Sequence, residues 1–475
     1  MCQDGADRFL RYSTGTYRCE WRLSGHEPFP SGEITLEAGR SIHGRIDASL
    51  NSEIRDYVFA KPQNVGRLSG WTTRDFDVVV RPAYIQNILP DKSSFHGDVA
   101  LIGPQIDGIP GDLYSEIVFQ VTGMDAVFGV APFQSVDNSV DGVVTARMRP
   151  GVINSQEIDG EALHCEYEFL VDTDGRYHLH LTPSPRVRVI GEARTPEAWL
   201  TDWVVPLRRL IEVATASPQE VTWVLLRETG NQSSSDKTAQ VFHRFIQQAP
   251  FVSRAENISG LAGDRPPTFN FSRIEEPLSI VRRWKSLAAS KNAFYQLYAS
   301  AVAQSDLPES ARFLYLVQAL EALHTAENPH VNDPDVEDDA IKGTEPDDTA
   351  RSITELINKV QGCTNSTERR KIKKALMRST APTLADRLGE LMSESQNAQR
   401  DADITATLLA PTLLGEDRHP SSIIATTRND ISHGNRAYSS IDLRCVNDHL
   451  EPLAGALLVS RLLEPWTRSP ASSTG

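Results

Sequence analysis

The sequence predicts an α+β protein of more than one domain: a β-rich N-terminal half followed by an all-helical bundle. Up to about residue 230, apolar residues come in short alternating runs broken by Gly, Pro, Asn and Asp, the period-two signature of half-buried strands. From about residue 276 the period changes to near 3.6. Between them SGLAGDRPPT, residues 259–268, has the composition of a linker. With 475 residues and a formal net charge of −15, the chain has room for two or three domains. The expected boundaries are 1–258 for the β-rich domain, 259–275 for the linker, 276–465 for the helical domain and 466–475 for a disordered tail.

The strands of the first half include GEITLEAG, DVVVRPAYI, SEIVFQVTG and VTWVLLRE. CEYEFLV and RYHLHLT, around Asp172-Thr-Asp174-Gly175, form the clearest hairpin. Asp172 and Asp174 lack the further ligands of a calcium loop, so a plain turn is expected there. His178 and His180 alternate onto one strand face with His164 on the partner strand, a pattern open to metal binding or to ordinary cross-strand packing. Trp203 to Val213 reads as a short helix, and GNQSSSDKT, residues 230–238, as a loop.

Composition narrows the function classes. No apolar run approaches membrane-spanning length and MCQDGADRFLRY has no signal-peptide core, so no membrane partner and a cytoplasmic location are expected. The cysteines (Cys2, Cys19, Cys165, Cys363 and Cys445) are scattered, which suits a reducing compartment better than a disulfide framework or a zinc site. The acidic balance argues against a protein that coats nucleic acid along its whole surface, but is compatible with one local basic site. No nucleophile elbow, phosphate-binding glycine loop, dinucleotide fingerprint or zinc-protease helix occurs, and a β-sandwich hydrolase with a helical tail has no supporting motif. No cofactor and no metal site are expected.

In the second half, PLSIVRRWKSLAASKNAFYQLYASAV predicts a long helix or helix pair. SDLPESARFLYLVQALEALHTAE follows, with Asp306 as a cap and Phe313, Val317, Leu320 and His324 on one stripe bordered by Glu321. Residues 327–350 are acidic and proline-bearing without an apolar period, so a mobile insertion is expected. In TERRKIKKALMRST, Arg369, Arg370, Lys371, Lys373 and Lys374 make the densest basic patch of the chain; it is either a solvated helix face or an RNA-backbone contact. The last helix, LRCVNDHLEPLAGALLVSRLL, turns Val446, Leu450, Leu453 and Leu457 inward, with a bend expected before Pro452.

The chemistry concentrates in SSIIATTRNDISHGN. Pro420 and a Ser421/Ser422 cap open a helix and Gly434 suits the left-handed residue that closes it. Ile424, Arg428 and Ile431 share one face, so a permanent cation sits where the helix packs, a costly placement unless an anion meets it. His433 follows at the carbonyl end, where the dipole favours a protonated imidazole. A second Arg-x4-His, Arg444 to His449, lacks the adjacent Asn and begins at the polar start of the last helix, so it reads as a chance match.

Arg428-Asn429-x3-His433 resembles the signature of HEPN ribonucleases. FLYLVQALEALH is similar to the second conserved helix of ApeA-like HEPN domains, and GEITLEAGRSIHGRIDASL resembles the opening of the domain that precedes HEPN in ApeA-type anti-phage proteins. The resemblance implies a sensing or positioning role for the N-terminal domain and a HEPN fold for the helical one. It also implies pairing of two copies, so that Arg428 and His433 of both line one cleft, with Glu321 and His324 nearby. The implied activity is metal-independent cleavage of structured RNA, transfer RNA foremost, in abortive infection, under the control of a phage-derived trigger. In that scheme Arg428 holds the phosphate, His433 transfers protons, Asn429 orients the phosphate or the His, and Glu321 positions His433 or Arg428. The rival reading is a non-catalytic HEPN module for dimerisation or nucleotide sensing.

Overall fold

The computed structural model describes residues 12–22, 30–47, 63–64, 66–73, 75–89, 92–130, 133–138, 144–148, 151–173, 179–228, 237–248, 270–289, 293–304, 306–327, 382–394 and 419–463. The contacts divide the chain into two units, 1–286 and 287–475.

The first unit is built on one large antiparallel sheet. Six of its strands close on themselves: β1 (Gly15–Arg22), β2 (Ser31–Leu36), β3 (Ile42–Ile46), β5 (Leu68–Thr72), β6 (Asp77–Leu89) and β7 (Lys92–Gly103) run in the order β7-β3-β2-β1-β5-β6, and β6 pairs back onto β7. The short β4 (Gln63–Asn64) lies along β6. The inward residues of this barrel, among them Trp21, Ile34, Ile46, Val78, Val80 and Phe95, are buried and form one apolar core. Trp21 and Phe95 meet edge to face with ring centroids 4.8 Å apart. Gly44 is explained by that packing: a Cβ there would lie 2.2 Å from the Phe95 ring and 2.4 Å from the Glu33 carbonyl. The charged turn from Glu37 to Arg40 joins β2 to β3 through Gly39 at φ 67° and a 2.7 Å ion pair between its two ends.

The sheet continues outward from β7 through β15 (Lys237–His243), β14 (Val221–Glu228), β8 (Tyr114–Val121), β13 (Leu179–Arg194), β12 (Glu161–Thr173) and β11 (Gly151–Ile158). A separate ribbon pairs β9 (Phe133–Asn138) with β10 (Val144–Met148). The β12/β13 pairing follows the expected hairpin, but its register sets His164 opposite Arg188 and His180 opposite Asp172. Eight residues along a strand span about 27 Å, so His164 and His180 cannot share an ion. Residues 174–178, with His178, lie outside the described residues. Partial burial, and then the neighbouring Arg188, lower the His164 pKa.

After α1 (Met124–Phe128), the helix expected at 203–213 starts earlier. Thr195 caps α2 (Pro196–Trp199), which passes through a π turn, Leu200–Val204, into α3 (Val205–Thr215). Trp199 and Trp203 are fully buried, and Trp199 Nε1 donates to the Tyr114 carbonyl at 2.7 Å, tying helix to sheet. The next helix, α4 (Pro277–Ala289), begins where the 3.6 period begins, yet its hydrogen bonds run to the β-rich unit. Gln156 of β11 accepts the Leu278 and Ser279 N–H groups at 2.8 and 3.1 Å, and Trp284 Nε1 donates to the Pro206 carbonyl at 2.7 Å. Amphipathic period reports that a helix is half-buried, not which unit buries it.

The second unit comprises α5 (Ala293–Ala303), α6 (Glu309–Glu327), α7 (Leu384–Glu394), α8 (Pro420–His433) and α9 (Ser440–Leu463) among the described residues. Helix α6 touches each of the other four. Its stripe Phe313, Val317, Leu320 and His324 is buried, as are Val446, Leu450, Leu453 and Leu457 on α9. Helix α9 continues through Pro452 as one element. The expected linker (apart from 270–275), the insertion expected to be mobile beyond Glu327, the basic run 369–374 and the tail 466–475 lie outside the described residues. Among the described residues no helix is long and apolar enough to cross a membrane.

Candidate active site in the helical unit

Helix α8 is delimited at both ends by local chemistry. Its N-cap is His419, whose Nδ1 accepts the Ser421 N–H at 3.3 Å and faces Ser421 Oγ at 2.8 Å; the expected Ser421/Ser422 pair lies inside the first turn. Pro420 occupies the first helical position, where its missing N–H costs nothing. Gly434, at φ 66°, ψ 21°, closes the helix, and the Asn435 N–H returns to the Asp430 carbonyl at 2.9 Å. Ile423, Ile424 and Thr427 are buried, so the helix is fixed along the side that also carries Arg428.

Arg428 is half-buried, its side chain 27 % exposed, and it faces Glu321 of α6 across 3.9 Å. That is an ion pair at the edge of contact, longer than a hydrogen bond. Arg428 Nη1 donates to Asn429 Oδ1 at 3.2 Å, whereas Nε is buried and has no hydrogen-bond partner. Among the described residues the guanidinium is therefore neither fully neutralised nor fully hydrogen-bonded. His433 follows five residues later, about 7.5 Å along the axis, and is exposed at the helix end. Asn429 is exposed as well. Asp430 accepts the Tyr438 hydroxyl at 2.9 Å, which pins the segment after the helix back onto its last turn; burial, then the neighbouring Asp430, raise the Tyr438 pKa.

Arg428 and Glu321 are thus brought together, and His324 is directed elsewhere: it is buried and its Nε2 lies 2.7 Å from Glu390 Oε2 on α7. Helix α7 also contributes Arg387, whose Nη1 stands 3.8 Å from Glu321 Oε1. Neither Arg387 nor Glu390 is singled out by the sequence, because LADRLGELMSE reads as an ordinary amphipathic helix. The only signal is their spacing of three, which puts both on one side of it. The second Arg-x4-His is occupied structurally: Arg444 pairs with Glu309 at 3.1 Å while its side chain stays 70 % exposed. The basic residues Arg369, Arg370, Lys371, Lys373 and Lys374 lie outside the described residues.

Residues 17–284 match the family model described as ApeA N-terminal domain 1, and residues 314–444 match the one described as Apea-like HEPN. The comparisons with curated proteins and with solved structures found no match. The first match covers the barrel, the open sheet and the helix that Gln156 caps. The second runs from α6 into the start of α9 and so includes Glu321, Arg428 and His433. With the two matches in this order, and the first alone spanning more than half of its length, the chain belongs to the ApeA-type family, an ApeA N-terminal domain followed by a HEPN domain of the kind associated with ribonuclease activity and anti-phage defence.

Proposed function

We propose that the protein is a metal-independent endoribonuclease that cleaves structured RNA, transfer RNA foremost, at a cleft formed by two copies of its HEPN domain. The observation that carries this reading is Arg428, a part-exposed guanidinium whose one carboxylate neighbour among the described residues, Glu321, stands 3.9 Å away. A phosphate diester supplies the acceptors and the charge that this group lacks, in the geometry guanidinium prefers.

The 2′-hydroxyl of RNA attacks the adjacent phosphorus, its oxygen forming the new P–O bond as the 5′-oxygen of the next nucleotide leaves. His433, at the exposed helix end, removes the hydroxyl proton or returns one to the leaving oxygen. Arg428 holds the non-bridging oxygens and offsets the charge they gain in the transition state. Asn429, hydrogen-bonded to Arg428, orients the phosphate, and Glu321 sets the reach of Arg428. Acid and base roles in one step call for two suitably placed groups, and the second copy contributes the other as its own His433. A single loop-exposed linkage is the preferred target, because an unstacked backbone reaches the in-line geometry most easily.

The test is cleavage by the purified protein in excess chelator. Products ending in a 2′,3′-cyclic phosphate and a 5′-hydroxyl, with DNA untouched, are expected. Activity that vanishes in chelator and returns with magnesium, or products carrying a 5′-phosphate, would overturn the mechanism. RNA binding without cleavage under every condition would favour the non-catalytic HEPN module.

A further inference from the structure

On the reading that Arg428 meets an RNA phosphate, the arrangement of α7 against α6 and α8 assigns a role to a residue outside the motif. We infer that Arg387 is a positioning residue that holds the Glu321 carboxylate back from Arg428 and so leaves the Arg428 charge available to the substrate.

The geometry is that of one carboxylate between two guanidiniums. Glu321 Oε1 faces Arg387 Nη1 at 3.8 Å, and Oε2 faces Arg428 Nη2 at 3.9 Å. Neither separation is a hydrogen bond, and charge-assisted pairs close to about 2.8 Å when nothing restrains them. The restraint is on the Arg387 side. Its Nε donates to the Pro382 carbonyl at 3.2 Å and its Nη1 to Thr325 Oγ1 at 3.4 Å, and its side chain is only 15 % exposed. The Pro382 carbonyl and the Thr325 hydroxyl thus help to hold Arg387 in place, and its charge attracts the carboxylate from the side away from Arg428. Arg428, the more exposed of the two guanidiniums, is the member of the pair that an incoming phosphate can reach. Removing the charge of Arg387 frees Glu321 to close onto Arg428, where it would occupy the donors that the phosphate needs. The role is carried through Glu321, and that makes it separable from a packing role.

The experiment measures binding by the full chain of a labelled stem-loop RNA carrying 2′-O-methyl groups, which cannot be cleaved. Arg387→Gln is expected to weaken binding about tenfold, and Glu321→Gln, which removes the competing carboxylate, to tighten it. The double variant Arg387→Gln/Glu321→Gln is expected to return to within about twofold of the parent. A purely structural Arg387 gives no such recovery, so a double variant as weak as Arg387→Gln overturns the inference. So does unchanged binding in Arg387→Gln when Arg428→Ala is impaired, and that outcome leaves the ribonuclease reading standing. If Arg428→Ala itself binds normally, both fall. Should Arg387→Gln fail to fold, Arg387→Lys keeps the competing charge and binding within twofold is expected; a tenfold loss there overturns the inference as well.

Discussion

At the scale of single residues, the site makes a discriminating prediction. Arg428→Ala and His433→Ala are each expected to lower RNA cleavage by about 100-fold or more, with the thermal midpoint little changed because His433 is exposed and Arg428 half-buried. His449→Ala is expected to keep activity, since the Arg444 that shares its spacing is paired with Glu309; a dead His449→Ala beside an active His433→Ala would assign the chemistry to the wrong motif. In the β-rich unit the informative residue is Asp112. It is buried at φ 51° and its carboxylate receives Arg67 at 2.9 Å and Arg81 at 2.6 Å. Asp112→Ala removes a shared partner from two guanidiniums that keep Asp107 at 2.8 Å and Glu197 at 3.4 Å, and a loss of about 1–3 kcal/mol is expected, read as a lower urea midpoint. None of this is visible in the run DGIPGDLY, which reads only as a turn. Arg67 and Arg81 reach Asp112 from 45 and 31 residues away.

At the scale of elements, what is legible depends on how local the cause is. Helix α8 is readable because Pro420 and Gly434 mark both ends by backbone preference alone. Its cap is misread because Ser is the commoner capping residue, whereas here the imidazole of His419 takes the bond. The strands of the first half are readable from alternation, but barrel closure is not. It rests on pairings such as β1 with β5 and β3 with β7, which join segments tens of residues apart. Gly44 carries a local trace of that closure. Gly44→Ala drives a methyl group into Phe95 and the Glu33 carbonyl, and a loss of about 1–3 kcal/mol is expected. A Phe95→Leu change in the same chain relieves the ring contact, so it should restore part of that stability if the clash is the cause.

At the scale of the molecule, pH acts on the two-sided burial of the sheet. His243 on β15 has its pKa pushed down to about 4, first by burial and then by Arg244, and its Nδ1 accepts the Phe245 N–H at 3.3 Å. An unfolded chain takes up that proton near pH 6.5 and the folded one only near 4. Between those values the unfolded state binds more protons, so stability present at neutral pH falls as the pH is lowered through this window. His243→Gln is expected to flatten that part of the urea-midpoint profile; an unchanged slope would place its origin elsewhere. A molecular mass by light scattering above that of one chain is expected from the proposed cleft, and a fully active monomer at all concentrations would contradict it. The division of edges along β7 has a further consequence, for synthesis. One edge of β7 is filled at once by β6, but the other is shared, β3 pairing with Ser93–Gly97 and β15 with Val99–Ile102. β15 follows some 140 residues behind on the ribosome, a delay on the order of 10 s at ordinary elongation rates. For that interval Val99, Leu101 and their neighbours present open backbone to any passing strand, so the nascent chain is most exposed to mispairing before its barrel has gained the rest of its sheet.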